Sequence, residues 1–277
     1  QDELLMTYTL PGPKTAERLE SGKKLFRHGL TYQAEAKKSA AKGFIPPAQI
    51  ILDRAKGDYV WDLDGNSYID FQNGWATNPL GNCHPEVLEA VHDAHQRYGY
   101  HWEHPLRFEL AEKLADIMPG KQLPRLTFEV SGTEAVESAV HTALCYKKRR
   151  HIISFTSSFH GAGMGTKVIS GYTSEHNLYM EPWSGAVIKA PYPYSQNIPA
   201  DMSPEQYVNY CLWYLESHIP EYIVPVNNIA AIIVEPGLAE GGNWIPSPDF
   251  IQGIRRICDK HDWLMIVDEV LTGLGRT

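Results

Sequence analysis

The stretch Ile229-Ala230-Ala231-Ile232-Ile233-Val234-Glu235-Pro236, a helical pattern from Asp249 to Asp259, and then Trp263-Leu264-Met265-Ile266-Val267-Asp268 together decide the fold. Each apolar run is too short for a helix and ends in a carboxylate, and a helix separates the two. Further upstream the same alternation recurs: Leu126 to Val130 as a strand, Ala135 to Tyr146 as a helix, then Ile152 to Phe155, Ala186 to Ala190, and a helix from Pro204 to Ser217. Short strands alternating with helices predict an α/β fold whose sheet, mixed but mostly parallel, is covered on both faces. In such sheets ligands sit beyond the carboxyl ends of the strands, where helix N-termini and loops converge.

Before this region, Val87, Ala90, Val91 and Ala94 recur at helical spacing, as do Leu106, Leu110, Ala111, Leu114 and Ile117 up to Pro119-Gly120. Tyr59-Val60-Trp61-Asp62 and Ser67-Tyr68-Ile69-Asp70 flank an Asp64-Gly65-Asn66 turn, which predicts a β-hairpin. The first residues are polar and broken by Pro11, Pro13, Pro46 and Pro47, with a helix expected near Thr15 to Phe26. Residues 1–75 are therefore expected as an arm and hairpin belonging to a small domain, and residues 76–277 as the large domain.

The 277 residues are 43% hydrophobic and 21% charged, the balance of a globular chain. Lys and Arg number 25 against 33 Asp and Glu, a net charge of −8, and the longest basic block is Lys147-Lys148-Arg149-Arg150. Nucleic acid is not an expected partner, because phosphate backbones need clustered positive charge. No apolar run approaches the roughly 18 to 20 residues that span a bilayer, so no membrane crossing is expected. Cys83, Cys145, Cys211 and Cys258 form no Cys-x-x-Cys pair, and the first residues lack a secretory pattern; a reduced, cytoplasmic location is the reading.

Four positions just past strands could carry chemistry. Ser131-Gly132-Thr133-Glu134 opens a helix, whose free N–H groups make an anion site with the Ser131 and Thr133 hydroxyls beside it; Thr133 as a plain N-cap is the ordinary alternative. Asp268 ends a buried run, where a carboxylate is costly unless it meets a cation or several donors; a cap or an ion pair with Arg276 would also serve. Glu235 repeats that placement, and by itself reads more safely as a solvated loop residue. Phe159-His160-Gly161 offers a flat aromatic face and an imidazole beside a glycine, or simply a packed pair. Taken in order, a phosphate cradle, an aromatic face and a carboxylate match a phosphorylated aromatic cation, which is pyridoxal phosphate. Its protonated ring is an electron sink only while an anion holds the proton there.

At these residues the chain resembles the class III aminotransferases, within the fold type I group of pyridoxal 5'-phosphate enzymes. The likeness runs from Gly57-Asp58-Tyr59-Val60-Trp61-Asp62-Leu63-Asp64-Gly65 and Leu80-Gly81-Asn82-Cys83-His84-Pro85 through Ser131-Gly132-Thr133-Glu134-Ala135-Val136-Glu137. It continues in Phe159-His160-Gly161, Ile233-Val234-Glu235-Pro236, Val267-Asp268-Glu269-Val270 and Thr272-Gly273-Leu274-Gly275-Arg276-Thr277. The resemblance implies that Gly132 and Thr133, with Ser131, bind the cofactor phosphate, that Phe159 stacks on one ring face and Val270 on the other, and that Asp268 pairs with the ring nitrogen. Glu235 would lie toward the substrate side, with His160 as a neighbour in the cofactor site. It also implies a homodimer and transfer of an amino group between an amine or amino acid and a keto acid, although racemases, aminomutases and lyases share the family.

The family's lysine that holds the cofactor as an imine lies downstream of the Asp268 motif, and no lysine follows Asp268 here. Lys189 and Lys260 precede the motif and are expected on the surface. The lysine and the C-terminal small domain are therefore expected on a companion chain or a separated segment, with truncation or a non-catalytic binding scaffold as the other readings.

Overall fold

The computed structural model describes residues 10–22, 25, 50–99, 102–173, 180 and 185–277. They fall into two compact units, Gln1–His104 and Pro105–Thr277. In the first, helix α1 (Pro13–Gly22) precedes strands β1 (Leu52–Lys56), β2 (Tyr59–Asp62) and β3 (Ser67–Ile69), which form an antiparallel sheet in the order β1-β2-β3. Asp62 organises the expected hairpin turn by accepting bonds from the Asp64 and Asn66 amides, the Asn66 side chain and the Tyr68 hydroxyl. Asp64 in that turn accepts from the amides of Lys14 and Thr15, satisfying free donors at the start of α1. The part of the expected arm helix beyond Gly22 is, apart from Leu25, outside the described residues. Helix α2 (Pro85–Arg97), read from the sequence as part of the large domain, groups with the first unit.

The second unit contains α3 (Pro105–Ile117), α4 (Gly132–Lys147), β4 (His151–Phe155), α5 (Met164–Ile169), β5 (Val187–Ala190), α6 (Pro204–Trp213), β6 (Ile229–Val234), α7 (Pro248–His261) and β7 (Leu264–Val267). Its four strands among the described residues are all parallel, in the order β5-β4-β6-β7, in keeping with the mostly parallel sheet that the alternation predicts. All six residues of β6 are buried, because helices cover both faces. Ile153, Phe155, Ile232 and Val234 join a core with Leu215, Phe250 and Ile254, while Ile152 and Ile233 face Val136, Val140 and Ala143 of α4. Helix α6 continues through a wider π turn, Tyr214–His218. No helix among the described residues is long and apolar enough to cross a membrane.

Leu126 to Val130, expected as a strand, forms none. Its residues have no ladder to any described strand, and Val130 is 91% exposed. Apolar patterning gives a segment a preference for extension, but a strand exists only where a neighbour supplies the other half of the hydrogen bonds.

Candidate functional site

The carboxyl ends of β4, β6 and β7 bring the predicted positions together around the first turn of α4. That helix begins at Gly132 because Ser131 caps it: the Ser131 hydroxyl accepts from the Glu134 amide at 3.2 Å, and the Glu134 carboxylate reaches back to the Val130 amide at 3.1 Å. The cap is thus Ser131 rather than Thr133. Gly132 is a place of close approach, since a Cβ there would stand 3.1 Å from both methyl groups of Val270.

Beyond β4 the chain turns through Ser158, Phe159, His160 and Gly161. Two consecutive amides of this turn are held by side chains: Phe159 N–H donates to Glu235 Oε1 at 2.8 Å, and His160 N–H donates to Ser170 Oγ at 2.8 Å. Gly161 adopts φ +122°, where a Cβ is disfavoured, and the added atom would lie 2.6 Å from Thr133 Oγ1. The Phe159 ring meets Tyr172 edge-on, with centroids 6.2 Å apart.

In β6 and β7, Val234 lies in register with Val267, so Glu235 and Asp268 leave the sheet side by side, and Asp268 N–H donates to the Val234 carbonyl at 2.9 Å. The side chain of Asp268 is 6% exposed, although the residue as a whole is only half-buried. One oxygen sits 2.7 Å from Nδ1 of the fully buried His160, and the other accepts from the Val270 amide at 3.1 Å. With Nδ1 turned to Asp268, Nε2 of His160 is buried without a partner among the described residues. Glu235 is also buried. Its second oxygen accepts from the Ala239 amide at 3.0 Å; burial raises its pKa against the lowering effect of the Phe159 and Ala239 amides and of His160, and the Asp268 charge adds to the rise.

These contacts form a closed circuit. Val270 sits over Gly132, Thr133 beside Gly161, His160 against Asp268, and Asp268 leads back to Val270. A helix N-terminus for an anion, a half-buried aromatic ring and a buried, oriented carboxylate are thereby held within one set of loops, which fits a phosphorylated aromatic cation. The sequence reading missed Ser170 and Tyr192. Ser170 sits where α5 ends and tethers the His160 backbone; Tyr192 donates from its hydroxyl to the Glu235 carbonyl at 3.1 Å. Neither stands in a recognisable motif, and only the packing reveals them.

The lysines divide. Lys260 is on the surface as expected, paired with Glu216. Lys189, also expected there, instead lies mostly inside: it pairs in register with Ser154, and its Nζ donates to Ser154 Oγ at 2.9 Å and to the Ile169 carbonyl. Burial lowers its pKa to about 7. The error has a simple origin, because a lone lysine near the end of a short strand gives no sign of which face it takes or of what covers that face.

The family model for class III aminotransferases matches residues 40–277. The chain belongs to the class III aminotransferase family, and its α/β fold with a parallel sheet is that of the fold type I large domain. A probable 4-aminobutyrate aminotransferase of Bacillus subtilis (strain 168) is 33% identical over 250 residues, covering 89% of this chain and 57% of the relative. An alanine/serine racemase of Pyrococcus horikoshii is 29% identical, covering 96% of this chain and 55% of that protein. Among solved structures, an amine transaminase from an uncultivated Pseudomonas species, in PLP-bound form, superposes with a TM-score of 0.77 at 28% identity over 82% of this chain and 53% of its own. The chain spans about half the length of the curated relatives it matches.

Proposed function

We propose that this chain forms the phosphate, ring and ring-nitrogen side of a pyridoxal 5'-phosphate site in an enzyme that transfers an amino group between an amine or amino acid and a keto acid. The observation that carries this reading is the circuit from Thr133 through Gly161, His160 and Asp268 to Val270 and Gly132, which holds an anion site and a buried carboxylate in fixed relation. When bound, the cofactor supplies an electron-withdrawing ring that eases loss of a proton from the carbon next to the substrate nitrogen.

The residues have separable duties. The amides of Gly132 and Thr133, at the positive end of α4, neutralise a phosphate. Asp268, excluded from water and aimed by His160 and the Val270 amide, keeps a proton on a ring nitrogen, since a carboxylate there favours the cationic partner. Phe159 and Val270 confine the ring from two sides and keep water from it. A dimer fits the uncovered apolar positions Leu80, Val87, Leu88 and Val91 on and before α2, which are 64%, 44%, 53% and 60% exposed. A cytoplasmic location fits four cysteines without disulfides.

The racemase relative supports a second reading, in which the same site serves proton removal and return at one carbon. The two part in one assay: the intact protein, incubated with pyridoxal phosphate, an amino acid and a different keto acid, is followed by mass spectrometry and chiral chromatography. Appearance of the amino acid derived from the keto acid is the expected result. Inversion of the donor without transfer would give the site to racemisation, and absence of any bound cofactor would remove both.

A further inference from the structure

We infer that Glu235 is a positioning residue, which fixes the turn carrying Phe159 and His160 by holding its backbone, and that it does not contact substrate. The inference rests on the cofactor reading above and deepens it. Both Glu235 oxygens are already committed: Oε1 accepts from the Phe159 amide at 2.8 Å and Oε2 from the Ala239 amide at 3.0 Å. The residue is 4% exposed, so no face of the carboxylate is turned to solvent for an incoming amine or acid. Its own main chain is anchored too, because its carbonyl accepts from Tyr192, whose ring packs edge-on between Phe155 and Phe250 in the core.

The consequence reaches two residues of the proposed cofactor site. Phe159 is tied through its amide to the end of β6, and His160, the next residue, is tied through its amide to Ser170 and through its ring to Asp268 at the end of β7. Side chains from separate elements therefore fix successive residues of a turn that no strand ladder among the described residues holds. Amide bonds to a carboxylate are stronger than those to a neutral acceptor, which suits a carboxylate to this duty. A carboxylate this buried gains nothing from water, so its bonds to the two loops are what stabilises it there. Burial raises its pKa in keeping with that enclosure.

Glutamine is the informative replacement. It has nearly the same shape, but its amide group presents N–H donors to one of the two backbone N–H groups and so keeps one tie and loses the other. In the intact protein, amide hydrogen exchange at Phe159 and Ala239 is measured for wild type and Glu235→Gln without cofactor, and thermal unfolding is recorded for both. Visible circular dichroism of added pyridoxal phosphate, kcat and KM follow. The inference expects exchange at Phe159 or Ala239 faster by at least about tenfold with one charge-assisted bond lost, a weakened cofactor dichroism, a lower kcat and a nearly unchanged KM. Unchanged exchange at both amides overturns it. So does a KM for the amine raised severalfold with cofactor dichroism intact, which would put Glu235 on the substrate. If the wild type binds no pyridoxal phosphate, the functional reading fails separately, and the exchange comparison still decides the clamp.

Discussion

Asp268 and Lys189 are both ionisable groups near the ends of parallel strands, yet their surroundings give them opposite characters. Asp268 is a buried carboxylate with a ring nitrogen 2.7 Å away and an amide 3.1 Å away, so its orientation is set before anything binds. Asp268→Asn keeps the shape and an acceptor for the Val270 amide but removes the charge. We expect kcat to fall by about two orders of magnitude or more, in line with losing one aimed electrostatic partner, while far-ultraviolet circular dichroism stays the same. Near-normal turnover would remove Asp268 from the reaction. Lys189 has hydroxyl and carbonyl acceptors but no carboxylate within ion-pair distance among the described residues. Its folded pKa of about 7 lies below that of an unfolded lysine, so the unfolded chain binds more protons between the two values. Its contribution to stability is therefore flat below about pH 7 and rises with pH from there toward the ordinary lysine range. Urea unfolding of wild type and Lys189→Met at several pH values from about 7 to about 9.5 should give a smaller rise in the variant. Parallel slopes would mean that Lys189 is exposed in solution.

At the scale of single elements, the text was most legible where burial is complete. β6 reads as six apolar residues because both of its faces are covered, and α7 reads as a helix because Phe250, Ile254 and Ile257 recur on its buried side. Two segments resisted. Leu52–Lys56 forms β1 although its sequence, Leu-Asp-Arg-Ala-Lys, is mostly charged; it is an edge strand held by β2 and by Arg54 lying 4.5 Å over the Trp61 ring. Leu126 to Val130 carries a strand-like pattern and forms no strand, for want of a described partner. Local capping is only partly legible, since the helix starts are readable but the sequence reading puts the cap of α4 on Thr133 instead of Ser131. Ser203 accepts from the Gln206 amide at 3.2 Å, while the Gln206 side chain accepts from the Ser203 amide at 2.7 Å. Ser203→Ala should destabilise by about 1 kcal/mol in chemical unfolding, through the loss of the serine half of this box at the start of α6. No change would mean that water replaces the cap without cost.

For the molecule as a whole, the prediction concerns linkage. A ligand that needs the folded loops binds only the native state, and so raises its stability by about 2.7 kcal/mol at a concentration one hundred times Kd. For a domain of this size that corresponds to a rise in Tm of roughly 5 to 11 °C, measured by calorimetry with and without pyridoxal phosphate. Inorganic phosphate should give a smaller rise, since it engages only the N-terminus of α4. An identical rise from both would place all of the binding on the anion site and none on the ring.

Much of this protein was legible in one dimension. Alternation of apolar runs and helical repeats specifies a mostly parallel sheet, and Phe159, Glu235 and Asp268 were marked by their residue types just past strands, because strand ends are where such sheets expose loops, whereas Gly132 was marked at a helix start although the run before it forms no strand. Packing decided the rest. His160 and Asp268 are 108 residues apart, and their contact exists because β6 lies between β4 and β7. Likewise Glu235 faces two amides rather than solvent, and Lys189 an interior hydroxyl rather than water, because a side chain's surroundings are supplied by strands and helices distant along the chain, and no local pattern records which of them arrive.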